Sequence, residues 1–419
     1  MKYLNGIVAC IMLMFATACN HHHEVVPDND PAPSHTLLIY MAGDNSLSDY
    51  CKENIRLIKK GLMEAPEDMN VIIYKDNRDY GDALPKLFQL KRVVDKKTHI
   101  AKIDTIFIQE LNTELDSCDP KEFEKIVKLT FDMFNTEVKG LEIWSHGMSW
   151  IPSDNFTYES PTRGIKYFGQ DNSRFMELWD IRKALENTRI HFDYISFDAC
   201  FAGMGEVANE FDQVCDYIYA PITEIMGCGF PYDTMIQTLS FCQNKNKVCE
   251  TLIACVNDFA KSSLYVGYGY TITLLETKNA NNLSIALAEL RNAAPHRVEQ
   301  LDNNKHLEAN LQHYGRSIVD TRYYFYEFQD YVDFLAQDET AEVKNILQKI
   351  SNNNIVVAYA NSDKFVEGES IDLKGCKGLG ISIPEIFSIY SNKKDKNNFA
   401  YGMTKWGKNL GILIKVNRE

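Results

Sequence analysis

The chain has 419 residues, 45% apolar and 24% charged, an ordinary globular composition with ample material for a core. Its formal net charge is −14, and no basic cluster stands along it to neutralise phosphates, which excludes nucleic-acid binding as a main activity. The length predicts one large domain with an appendage, or two domains.

The amino terminus reads as an export segment. Lys2 supplies a positive charge, residues 7–15 an apolar stretch too short to span a bilayer, and Ala16-Thr17-Ala18 a small-residue cleavage pattern. Cys19 follows at once, as in a bacterial lipobox. Residues 1–18 are therefore expected to leave as a signal peptide and Cys19 to carry lipid, placing the protein in the cell envelope or outside the cell. Residues 19–35 are polar and proline-containing, a tether. His21, His22 and His23 lie in it and read as solvated, since no further ligand stands at fixed spacing. No Cys-x-x-Cys occurs, which excludes zinc-ribbon and thioredoxin-type readings, and the cysteine spacing supports no particular disulfide framework.

From residue 36, apolar runs alternate with amphipathic ones. Residues 36–41 and 70–74 read as strands flanking a helix at 47–63, and 86–94 and 102–108 as paired strands. Asp119 and Pro120 cap a helix running to 134, and 141–144 form a short buried strand. Residues 148–174 break the pattern; so long an irregular run inside a compact domain is functional or disordered. Then come a helix near 175–187, strands at 194–197 and 217–221 about a helix at 203–211, a helix at 248–264 and a strand at 270–276. Beyond 279 the periodicity is mainly helical, at 283–292, 325–335 and 341–351. Strand-like runs at 355–360 and 379–383 are expected to return to the sheet. The alternation predicts an α/β fold with a mostly parallel sheet.

Two segments carry the chemistry. LEIWSHGMSW (141–150) ends a strand in His146, and YISFDACFAGMGEVANEF (194–211) ends another in Cys200. Gly147 follows the first; Ala202, Gly203 and Gly205 follow the second. Reactive groups just past strand ends, with small residues that admit a substrate, are how open α/β sheets build sites. Taken alone, Cys200 reads as a small core filler. With His146 it reads as a nucleophile with a general acid–base partner. Both side chains are expected to face solvent. Strand alternation puts Asp198 on the same face as Cys200. Among the other histidines, His35 reads as tether, His99 as strand edge and His191 as the far end of the Cys200 strand. His296, His306 and His313 read as polar helical surroundings.

Ser145-His146-Gly147 followed by Asp198-Ala199-Cys200 resembles the clostripain family of cysteine peptidases, in the wider group of caspases, legumains and gingipains. TLLIYMAGDNSL near the start, APITEIMGCGFPY at 220–232 and GLGISIP at 378–384 extend the likeness over residues 36–410. Ser149 stands where family members often carry Gly. The resemblance implies a caspase-like αβα sandwich at 36–277, with a mainly helical region at 278–419. It further implies a Cys200–His146 dyad, with the N–H groups of Gly147 and Cys200 as oxyanion donors. Asp198 and Glu224 become candidates for an acidic pocket that receives Arg or Lys. For Asp198 the rival role is a strand-end hydrogen bonder, and for Glu224 a solvated loop charge. Family members mature by cleavage after a basic residue between the catalytic strands, which makes Arg163 and Lys166 candidates here. Protein or peptide substrates are expected. No cofactor is required by these residues, nothing in them supports calcium, and oligomeric state is not specified. Two other functions stay open at this stage: a degenerate peptide-binding homologue, and an acyl-transfer enzyme using the same dyad.

Overall fold

The run HTLLIYMAG forms β1 (His35–Gly43), buried along its whole length. Leu38, Tyr40 and Ala42 enter one apolar core, while Leu37, Ile39 and Met41 enter the other. A strand buried on both faces reads as a continuous apolar run and needs helices on both sides. The chain supplies them. The computed structural model describes residues 33–78, 84–95, 97–110, 116–151, 168–171, 174–303, 310–316, 323–367, 369–386 and 400–411. All of these belong to one compact unit.

After β1 come helix α1 (Ser48–Glu64), the parallel strand β2 (Asn70–Asn77) and an antiparallel hairpin of β3 (Lys86–Val94) and β4 (Ala101–Glu110). Helix α2 (Pro120–Met133) starts where Asp119 accepts from the Lys121 N–H and Pro120 takes the first turn. It returns the chain to β5 (Val138–Trp144), parallel to β1 on its other side. A small hairpin of β6 (Phe168–Asp171) and β7 (Arg174–Met176), then helix α3 (Leu178–Thr188), lead to β8 (Phe192–Asp198), parallel to β5. Helix α4 (Gly205–Glu210) and strand β9 (Cys215–Ala220), parallel to β8, follow. Helices α5 (Tyr232–Ser240) and α6 (Val248–Lys261) precede β10 (Thr271–Glu276), which runs antiparallel to β9.

Residues beyond β10 form helices α7 (Ala280–Ala293) and α8 (Pro295–Asn303), strands β11 (His313–Arg316) and β12 (Tyr323–Glu327), and helices α9 (Phe328–Leu335) and α10 (Ala341–Asn352). Strand β13 (Val356–Asn361), the hairpin β14 (Lys364–Glu367) and β15 (Glu369–Asp372), strand β16 (Gly380–Ile381) and helix α11 (Lys405–Asn409) complete the described chain.

The main sheet has nine strands in the order β13-β10-β9-β8-β5-β1-β2-β3-β4, mixed but parallel through its middle. Phe123, Ile181, Val207 and Leu287 pack α2, α3, α4 and α7 on one face; Ile58, Ile236 and Leu252 pack α1, α5 and α6 on the other. This is a caspase-like αβα sandwich. Of the two late strand-like runs, the first closes the β10 edge as β13. The second does not reach the main sheet: β16 pairs with β12 beside β11, and the Gly380 N–H bonds the Gly203 carbonyl. It thereby braces the loop after Cys200. Trp406 of α11, fully buried, presses on α4, where a Cβ at Gly205 would lie 2.8 Å from its ring.

Local expectations shift in places. His35 is not tether but a buried strand residue: Nε2 meets the Tyr194 hydroxyl at 3.0 Å, and burial pushes its pKa down to about 4. His99 adopts a left-handed φ of 57° in the β3–β4 turn, and His313 lies in β11. Phe175 is taken by β7, so α3 starts later than its periodicity suggests. The nine described cysteines are free thiols. No described helix is long and apolar enough to cross a membrane.

Candidate active site

The pairing of β5 with β8 ends with Trp144 opposite Asp198. Two residues beyond each stand His146 and Cys200, so the ladder delivers both residues to adjacent loops at the sheet's carboxyl edge. The Ser145 N–H still reaches the Asp198 carbonyl at 3.3 Å. Gly147 then passes against the thiol loop. A Cβ on Gly147 would stand 2.8 Å from the Cys200 carbonyl oxygen and 3.2 Å from its nitrogen. Only glycine allows that approach.

Both loops turn sharply just after the reactive residue. Phe201 and Ser149 hold left-handed φ values of 58° and 56°. For residues with a Cβ this costs about 1–2 kcal/mol each, the kind of strain that collects at functional sites. Phe201 is held by Phe325, with ring centroids 5.1 Å apart, and by Gly315, where any Cβ would strike its ring.

The sequence expectation that both groups face solvent is corrected: Cys200 is 4% and His146 8% exposed. The segment after β1 supplies the first cover. Asn45 bonds the Ala42 carbonyl through Nδ2 and receives the Leu47 N–H on Oδ1, a turn that carries the exposed Ser46 over the imidazole. Ser46 Oγ then meets His146 Nε2 at 2.8 Å. Ser145 Oγ ties the same two strand ends together through the Ala42 carbonyl. The loop after β9 covers the thiol. The Ile225 N–H points at Cys200 Sγ from 3.4 Å, and the thiol in turn faces the Ile225 carbonyl at 3.8 Å. Thr271 of β10 fixes that loop by accepting the N–H groups of Ile222 and Thr223, and the Phe201 N–H bonds the Thr223 carbonyl.

Asp198 ends β8 and is also buried. Its Oδ2 accepts from the Phe230 N–H at 3.0 Å and the Tyr232 hydroxyl at 2.7 Å. Among the described residues no donor meets its Oδ1. Strand alternation stops at Asp198, where the ladder ends, so it does not fix the direction of Cys200. Burial raises the Asp198 pKa to about 7 against the opposing pull of those two donors. Behind it lies Glu142 of β5, fully buried and raised to about 8 by burial and then by the Asp198 charge. Glu224, half-buried, precedes Ile225 in the loop over the thiol, and Thr223 Oγ1 donates to its carbonyl.

His191 is remote from this edge, paired with Asp216 at 2.9 Å on the surface. Arg163, Lys166 and Cys19 lie outside the described residues. Sequence reading overlooked Ser46, Ile225, Glu142 and Tyr232. Of these, Glu142 carried a signal, an acid inside an apolar run.

Residues 39–409 match the model of the clostripain family of peptidases. An X-ray structure of an inactive zymogen C11 protease from Parabacteroides distasonis is similar at 27% identity and a TM-score of 0.73, covering 91% of this chain and 99% of that one. A secreted C11 cysteine protease from Bacteroides thetaiotaomicron, solved with an irreversible peptide inhibitor, shares the fold at 20% identity and a TM-score of 0.67, covering 90% and 99%. No curated protein matches. The chain belongs to the clostripain family of cysteine proteases.

Proposed function

We propose that the chain is an exported endopeptidase that cuts after Arg or Lys with a Cys200–His146 dyad. The observation that carries this reading is the meeting of the two strand-end loops, where Gly147 lies against the backbone of Cys200. The Cys200 thiolate attacks the scissile carbonyl, and His146 protonates the departing amine and then activates water for the acyl-enzyme. The N–H groups of Gly147 and Cys200 are the oxyanion donors, a class of interaction worth about 3–4 kcal/mol per donor. Asp198, with Oδ1 open, receives the substrate's cation, and Glu224 lines the approach.

Two further parts complete the proposal. The burial of both reactive side chains, together with the likeness to an inactive zymogen, supports a precursor that cuts itself after Arg163 or Lys166. The leader and Cys19 support lipid attachment, with residues 20–34 spacing the enzyme from the membrane; the Bacteroides relative is described as secreted.

The test is a profile of cut sites in a mixed peptide library, for wild type and Asp198→Asn. Cleavage after Arg and Lys is expected. The variant should lose on the order of 10²- to 10⁴-fold in kcat/KM, matching about 3–5 kcal/mol for a broken buried ion pair. Preferred cleavage after neutral residues by wild type contradicts the acidic pocket.

A further inference from the structure

Behind Asp198 stands a chain of buried groups for which peptide hydrolysis itself has no use. Glu142 occupies the middle of β5, one strand over from Asp198 on β8. Tyr232 opens α5 and places its hydroxyl between the two acids, 2.7 Å from Asp198 Oδ2 and in short contact with Glu142 Oε1. Ser196 Oγ donates to Glu142 Oε2 at 3.1 Å.

Counting protons shows what this arrangement needs. A tyrosine hydroxyl carries one proton and donates to one acceptor. Two ionised carboxylates on one phenol oxygen would leave one oxygen–oxygen contact with no hydrogen in it. One acid must therefore hold a proton and donate it back to Tyr232. Asp198 receives a backbone N–H as well as the hydroxyl, which favours its ionised form. Glu142 receives hydroxyls alone, at full burial. The proton belongs on Glu142, and the bonds run from Glu142 to Tyr232 to Asp198.

The surroundings do not compete for that proton. Tyr194 of β8 and Tyr219 of β9 face Glu142. Tyr219, Tyr265 and Cys228 face Asp198. Burial pushes every one of them up, the thiol to about 11, so all stay neutral near pH 7.

We propose that Glu142 and Tyr232 act as a positioning relay that holds the Asp198 carboxylate ionised and aimed at the substrate's basic side chain, making selection of Arg and Lys pH-dependent. The inference rests on the reading of Asp198 as the specificity carboxylate. Neutral Glu142 lets Tyr232 commit its own proton to Asp198 Oδ2, leaving Oδ1 for the incoming guanidinium or ammonium. Because burial lifts the Asp198 pKa to about 7, recognition of basic residues is lost as pH falls through that value.

The test is the pH profile of kcat/KM for an Arg peptide with the activated enzyme, its Tyr232→Phe, Glu142→Gln and Asp198→Asn variants. Tyr232→Phe removes a donor to the ionised form. Its acid limb should move up by about one pH unit, through KM and not kcat, while the rate of Cys200 alkylation by iodoacetamide holds. Glu142→Gln supplies an amide N–H to the Tyr232 oxygen and a carbonyl for Ser196, so its acid limb should stay with wild type. A limb displaced downward in Glu142→Gln would show that an ionised Glu142 had been removed, which overturns the relay even where Tyr232→Phe fails to fold. Loss of Arg preference in Asp198→Asn with superposable wild-type and Tyr232→Phe profiles overturns the relay alone. Unchanged Arg preference in Asp198→Asn overturns the specificity reading beneath it.

Discussion

Gly147 and Cys200 come from different strands, yet a single methyl group added to the first would lie 2.8 Å from the carbonyl oxygen of the second. The neighbours it would strike are the Cys200 backbone and the Ala199 Cβ, none of them able to swing aside as the end of a long side chain can. Gly147→Ala must push the two loops apart. Overpacking of this kind costs about 1–3 kcal/mol in stability. Displacing imidazole from thiol by about 1 Å lowers kcat/KM by about 10²-fold. Thermal melts and peptide kinetics on the same sample check both parts; an active variant of wild-type stability contradicts them.

The Ser46 hydroxyl orients His146 through a 2.8 Å contact at Nε2. Ser46→Ala should lower kcat by about three- to tenfold with KM little changed, consistent with one hydrogen bond of about 0.5–1.5 kcal/mol. Ser46→Thr, which keeps the hydroxyl, should recover most of it. Equal rates for the alanine variant and wild type would remove Ser46 from the site.

Much of this edge was legible in the sequence because strand ends announce themselves: an apolar run, then a reactive residue, then glycine. His146 and Cys200 followed from that pattern, as did a mostly parallel sheet. Ser46 did not, because its closeness to His146 depends on β1 lying beside β5, a fact of strand order rather than of local pattern. Glu142 was read over as part of an apolar strand, since its partners come from α5 and β8. The burial of the thiol comes from a loop fixed by Thr271, far along the chain, which no local spacing reveals.

Glu206 of α4 ties the late segment to the sandwich. Its Oε1 accepts from the Ser382 N–H at 2.8 Å and the Tyr401 hydroxyl at 3.1 Å, while its buried Oε2 has no partner among the described residues. Burial raises its pKa from 4.5 to about 7. Between those values the folded chain keeps a proton that the unfolded chain has released. Stability from this group is therefore complete below about pH 4.5 and lost as pH rises through 7. Glu206→Gln keeps the acceptor and stays neutral. It should match wild type in urea unfolding near pH 4.5 and exceed it at pH 8 by on the order of 1–3 kcal/mol. Equal destabilisation at both pH values would contradict a protonated Glu206.

The dyad itself is tested most directly by single-site variants carried through one assay. Wild type, Cys200→Ala and His146→Ala are expressed in parallel, checked for folding by circular dichroism, and assayed on an Arg peptide and with a peptidyl acyloxymethyl ketone. The same gels show whether the chain is cut, and sequencing of new amino termini locates any cut relative to Arg163 and Lys166. The account predicts hydrolysis, covalent labelling and self-cleavage in wild type, with all three lost in folded Cys200→Ala and hydrolysis lost in folded His146→Ala. Folded Cys200→Ala protein that still hydrolyses the peptide would contradict it.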